Sequence, residues 1–97
     1  MIDATNREDS DAFVASFTGD AFLSDWGREF RGHDGVARWN QSDNIGVRAR
    51  FTASASRREG TEDVVTLTVT GDGYNGTGDM RFTVEDDLIS RMIIAAD

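Results

Sequence analysis

AFLSDWGREFRGHDGVARW, residues 21–39, carries the reading of this chain. Ala21, Leu23 and Asp25 alternate with Phe22 and Ser24, so residues 21–25 predict a strand with two apolar side chains and a carboxylate on one face. Trp26-Gly27 predicts a tight turn, and Arg28, Glu29, Phe30 and Arg31 a short return strand closed by Gly32. Residues 33–40 take helical spacing, with Val36 and Trp39 on one face and Asp34 early enough to favour the positive end of the helix dipole. Period two sets the Asp25 carboxylate beside two apolar neighbours, where desolvation raises a carboxyl pKa if that face is covered.

On the N-terminal side, residues 1–17 contain no helix breaker and space Phe13, Val14 and Phe17 for an amphipathic helix, with Asp9 and Asp11 on its polar side. Thr18-Gly19-Asp20 predicts its end, with Gly19 as a left-handed cap. On the C-terminal side, residues 41–46 predict a polar loop. In residues 47–55, Val47, Ala49, Phe51, Ala53 and Ala55 alternate with Arg48, Arg50, Thr52 and Ser54, the clearest strand pattern in the chain. A turn around Gly60 leads to a second strand, where Val65, Leu67 and Val69 stand opposite Thr66, Thr68 and Thr70. The glycine-rich run at 71–76 connects to a third strand, where Gly78, Met80, Phe82 and Val84 alternate with polar residues. Glu85-Asp86-Asp87 turns the chain into a largely apolar last strand, residues 88–95, predicted to be central in the sheet. Helices followed by strands predict an α+β fold, a curved antiparallel sheet with the N-terminal helices on its concave face, in one domain spanning 1–97.

Composition narrows the function classes. Eighteen acidic against ten basic residues give a formal charge of -8, which disfavours nucleic acid and anionic membrane, since both are bound by clustered cations. All ten cations are Arg, and Cys and Pro are absent. Without Cys there is no disulfide framework and no thiolate metal site. The start MIDATNRED lacks the basic and apolar regions of a signal peptide, and the expected location is cytoplasmic. Asp86 and Asp87 lack the glycine and ligand periodicity of a calcium loop, GDGYNGTG lies between strands and not before a helix, and no serine sits in a nucleophile elbow.

The run TGDAFLSDWGREFRGHDGVARW, with four following strands and the ending FTVEDDLISRMIIA, resembles the SnoaL-like branch of the nuclear transport factor 2-like superfamily, whose fold is also called cystatin-like. The resemblance rests on element order, the D-x-x-x-x-D turn from Asp20 to Asp25, and R-G-x-x-x-V-x-x-W from Arg31 to Trp39. It implies a cone-shaped α+β barrel with an apolar cavity, paired as a homodimer through the sheet face. Against the family, the first helix is shorter by about two turns, or on the order of ten residues. Asp25 falls where the superfamily's ketosteroid isomerases carry their general base. Those enzymes also use an oxyanion hole of a Tyr and a protonated Asp. Here Met80 stands near the position of that Asp, and the Tyr would fall at or before Met1, so ketosteroid isomerisation is not expected.

The candidate catalytic residues are therefore Asp25, as a conditional base, and His33, the only histidine, as a possible partner. The plainer reading of Asp25 is an ion pair with Arg28, and that of His33 an exposed role at the helix start. Leu23, Trp26, Trp39, Phe51, Met80 and Phe82 are the candidate cavity wall. No cofactor or metal is expected. The expected partners are a small apolar molecule and a second copy of the chain, docked through a face bearing Arg48, Arg50, Thr66, Thr68, Arg81 and Thr83. Binding of an apolar molecule is the expected function, and a cyclase, isomerase or dehydratase using Asp25 is the alternative.

Overall fold

The structure is a computed structural model that describes residues 1–95; Ala96 and Asp97, the end of the expected domain 1–97, lie outside the described residues. The elements run α1 (Ile2–Asn6), α2 (Ser10–Ala15), β1 (Phe17–Asp25), β2 (Arg28–Arg31), α3 (Gly32–Asp43), a short 3-10 turn (Ile45–Val47), β3 (Arg50–Glu59), β4 (Glu62–Thr70), β5 (Gly76–Glu85) and β6 (Leu88–Ile94). Six strands form one curved, unclosed sheet in the order β2-β1-β6-β5-β4-β3. The α+β class stands as expected, with one refinement: β1 runs parallel to β6, while every other pair is antiparallel. The long excursion through β2, α3 and the C-terminal strands makes that parallel pairing accessible. No helix among the described residues is long and apolar enough to cross a membrane.

The expected single helix over 1–17 is two short helices. Glu8 adopts a left-handed φ of 57°, and the Ala12 amide donates to Asp9 Oδ1 at 3.0 Å, so Asp9 starts a new helix instead of continuing the old one. Phe17 and the Thr18-Gly19-Asp20 run belong to β1 and not to a helix cap, and Gly19 has no left-handed φ. The ladder with β6 is irregular between Phe17 and Phe22, which absorbs the change of direction.

Two further boundaries move. The predicted loop over 41–46 is largely the end of α3, followed by the 3-10 turn. Arg48 is left-handed, with φ 57°, and the Ala49 amide donates to the Asn44 carbonyl at 3.0 Å, so the strand begins at Arg50 and not at Val47. Within β3 the strict alternation is broken by a bulge between Ala53 and Ala55: Ala53 pairs with Leu67, but Ala55 pairs with Thr66. One extra residue reverses the parity of every side chain beyond it, so Ala55 leaves the face that Phe51 and Ala53 share. β6 is central, as its apolar run predicts, although only Met92 within it is fully buried.

The core lies between the concave face and the helices. Phe13, Phe17, Leu23, Val36, Leu67 and Met92 are all essentially inaccessible. Phe13 packs against Phe17 at 5.2 Å and stacks on Trp39 at 6.0 Å between ring centroids, fastening α2 to both β1 and α3. Asn6 ties the far edge: its amide nitrogen donates to the Phe51 carbonyl at 2.9 Å and its oxygen accepts from the Phe51 amide at 2.8 Å, as a paired strand would. On the convex face Arg57, Glu59, Asp79 and Arg81 form an ion-pair lattice, and Thr66 donates to Asp79 at 2.7 Å. The Thr66 hydroxyl, and after it the Arg57 guanidinium, hold the Asp79 carboxyl below its ordinary value.

Gly46 shows how tightly the end of α3 is folded back. A Cβ there would fall inside the van der Waals envelope of the Gln41 carbonyl, which is backbone and cannot swing away. At Gly78 a Cβ would meet nothing within 4 Å. Gly46→Ala is expected to destabilise by about 3 kcal/mol in urea unfolding and Gly78→Ala by less than about 1 kcal/mol; equal midpoints for the two variants would contradict the close approach.

Candidate functional site

β1 and β2 meet at a two-residue turn in which Trp26 (φ 51°) and Gly27 (φ 84°) are both left-handed, the geometry that matches the twist of a tight hairpin. That turn sets Asp25 opposite Arg28, and the parallel pairing sets Asp25 opposite Ile94, itself opposite Met80. Arg28, Asp25, Ile94 and Met80 therefore cross the concave face in one row. The last turn of α3 brings Trp39, Ser42, Asp43 and Asn44 over it. Between them lies a cavity of about 400 Å³, within the size range of small-molecule sites, whose apolar wall includes Trp39, Val47, Phe51, Leu67, Met80 and Ile94.

The polar end is a clasp. The Trp39 indole Nε1 donates to Asp25 Oδ2 at 3.0 Å, and Arg28 Nη2 reaches the same oxygen at 2.7 Å. Arg28 also binds Asp43 Oδ1 at 2.9 Å, and Ser42 donates to Asp43 Oδ2. The Asp25 side chain is 15% exposed, and its Oδ1 accepts no side-chain hydrogen bond among the described residues. Burial, the largest single influence on Asp43, pushes its carboxyl up, but the bonds from Arg28 and Ser42 and the Arg28 charge outweigh it and hold the group below the ordinary 3.8. Arg28 is raised in turn, first by its bond to Asp43.

Behind the clasp, Asn44 is fully buried, with Nδ2 donating at 3.0 Å to both Thr5 Oγ1 and Asn40 Oδ1. Its Oδ1 has no partner. Asn44 is one of the cavity's lining residues.

Of the residues singled out from sequence, Asp25, Trp26, Trp39, Phe51 and Met80 line the cavity. Leu23 and Phe82 do not: they lie in the adjoining row, with Phe30 and Met92, inside the core. His33 is also outside the lining, because α3 begins at the far end from the clasp. It is exposed, with Nε2 2.9 Å from the Phe17 carbonyl. The ion pair weighed for Asp25 and Arg28 is present. The sequence reading omitted Asp43, Asn44 and Tyr74. The first two sit in what read as a loop, and Tyr74 is an exposed ring in the β4–β5 connection that the fold turns toward the cavity rim. No cluster of three or more potential metal ligands occurs among the described residues.

The SnoaL-like domain model matches residues 1–92. The chain belongs to the SnoaL-like family. A protein from Sinorhizobium meliloti, provisionally described as a polyketide cyclase, is 26% identical, with a TM-score of 0.83 over 95% of this chain and 86% of its own. The Δ5-3-ketosteroid isomerase of a Mycobacterium species is 18% identical, with a TM-score of 0.81 over 99% of this chain and 86% of its own. A computationally designed 17-OHP binder is 14% identical, with a TM-score of 0.85 over 99% of this chain and 84% of its own. At these last two identities the likeness is one of fold. Comparison with curated proteins finds no match.

The Asp43 shift has a pH consequence. A carboxyl whose folded value is depressed stabilises the fold above its unfolded value, near the ordinary 3.8, and that contribution is lost as pH falls through the lower folded value. Asp43→Asn is therefore expected to lose less stability than wild type between about pH 7 and about pH 3 in urea unfolding; an unchanged difference would contradict a native-state role for the Arg28–Asp43 pair.

Proposed function

We propose that this SnoaL-like protein binds a small apolar molecule in the cavity between α3 and the concave face of the sheet. The observation that carries this reading is the cavity of about 400 Å³ itself, walled by Trp39, Phe51, Leu67 and Met80, with Gly78 an exposed sheet position on its lining where a side chain would meet nothing. A concave space of this size, lined by apolar and aromatic side chains with a few polar groups at one end, has the make-up of a small-molecule site. A protein designed on the same fold to bind 17-OHP is consistent with this use of the cavity.

Isomerase chemistry is not part of the reading. An enolate needs hydrogen-bond donors aimed at its oxygen, and Met80 offers none. The alternative, a cyclase or dehydratase in which Asp25 takes a proton, draws on the unclaimed Oδ1 of Asp25. Under that reading Asp25→Asn would abolish turnover while preserving ligand affinity.

Pairing through the convex face is proposed as well. Phe22 lies there between the guanidinium groups of Arg31 and Arg91, at 4.7 and 4.9 Å, a flat cationic and aromatic surface. Arg48, included in this face from sequence, precedes the sheet and does not contribute to it. Sedimentation equilibrium at micromolar concentration is expected to show a dimer that Phe22→Glu dissociates; a wild-type monomer would contradict the pairing.

The cavity reading is tested with a naphthalene probe and Gly78→Leu, which fills the space without requiring a strained backbone. Calorimetry should show binding to wild type and a loss of about tenfold or more in the variant. Equal affinity in both would place the probe elsewhere.

A further inference from the structure

We propose that the polar end of the cavity selects a ligand that donates hydrogen bonds, with an aromatic compound carrying a protonated amine preferred. This rests on the cavity being a binding site, and it follows from an inventory of donors and acceptors around the clasp. Most donors of the inner wall are engaged: Trp39 Nε1 on Asp25, Ser42 on Asp43, Asn44 Nδ2 on Thr5 and Asn40, and Arg28 through Nη1 and Nη2 on Asp25 and Asp43, with its Nε unclaimed among the described residues on a side chain that is half exposed. The unclaimed groups on the less exposed side chains are acceptors. Asp25 Oδ1 takes no side-chain hydrogen bond among the described residues, and the buried Asn44 Oδ1 takes none at all.

Charge points the same way. The carboxylates of Asp25 and Asp43 share the single guanidinium of Arg28, which leaves a net charge of about -1 at the polar end. A ligand carboxylate would meet that charge unpaired, and a ketone would leave Asp25 Oδ1 unsatisfied. An ammonium group supplies donors and opposite charge together. Trp26 and Tyr74, 58% and 59% exposed, add two aromatic faces at the rim, which attract a cation as it enters. This selection is opposite in sign to that of an oxyanion hole, which collects donors around an acceptor.

The test is a matched series on one ring system: naphthylmethylamine, naphthylmethanol, acetonaphthone and naphthoate, titrated calorimetrically into the full chain near neutral pH. The expected order is amine, then alcohol, then ketone, with the amine tighter than the ketone by about tenfold or more and naphthoate weakest. Asp25→Asn, which keeps the side-chain shape and removes the charge, should reduce the amine-to-ketone ratio by about tenfold. A ketone that binds as well as the amine overturns the donor selection and leaves the cavity reading intact. Failure of all four probes to bind overturns both. An unchanged ratio in a folded Asp25→Asn protein, with the fold checked by circular dichroism, overturns the role given to Asp25 in the selection.

Discussion

The Asp25 carboxylate joins β1, β2 and α3 at the polar end of the cavity. One oxygen accepts from Trp39 on α3 and from Arg28 on β2, while its own strand pairs with the central β6. Arg28 then carries the link on to Asp43 at the end of the same helix. The indole and guanidinium reach the carboxylate only because the Trp26-Gly27 turn is two residues long and left-handed at both, which fixes the register of β1 against β2. The clasp ties the end of α3 to β1 and β2 at the polar end of the cavity.

That arrangement bears on the chemistry the site can perform. A carboxylate held by a cation and an indole N–H is well placed to orient a guest. Its remaining oxygen takes no side-chain hydrogen bond among the described residues, and under the selection proposed above it accepts from the guest.

Much of this was legible in the sequence where local chemistry governs. The alternation in β1, the Trp26-Gly27 turn and the spacing of Val36 and Trp39 are short-range patterns, and they gave the strand, the hairpin and the helix face. The resemblance anchored on Arg31 to Trp39 supplied the fold. What the sequence concealed depends on contacts remote in the chain. The apolar alternation of residues 47–55 gave no sign of the bulge after Ala53, because a bulge changes parity without changing composition. The helix of residues 1–17 was broken by Asp9 acting as a cap, a residue that suits a helix surface equally well. Asp43 and Asn44 read as loop residues because the last helical residue of α3 and the cap after it are held by tertiary partners, Arg28 for Asp43 and Thr5 for Asn44. Leu23 and Phe82 lie in the core and not in the cavity wall, because period two identifies the correct face but not how far along it the helices lie.

The central claim is that a small apolar guest occupies the space beneath α3. It is tested most directly by amide and indole nitrogen–proton correlation spectra during titration with naphthylmethylamine. The account predicts saturable shifts of the Trp39 indole and the Gly78 amide, with Thr83 and Arg91 on the convex side unmoved. Shifts confined to the convex side, or none at saturating probe, would contradict it.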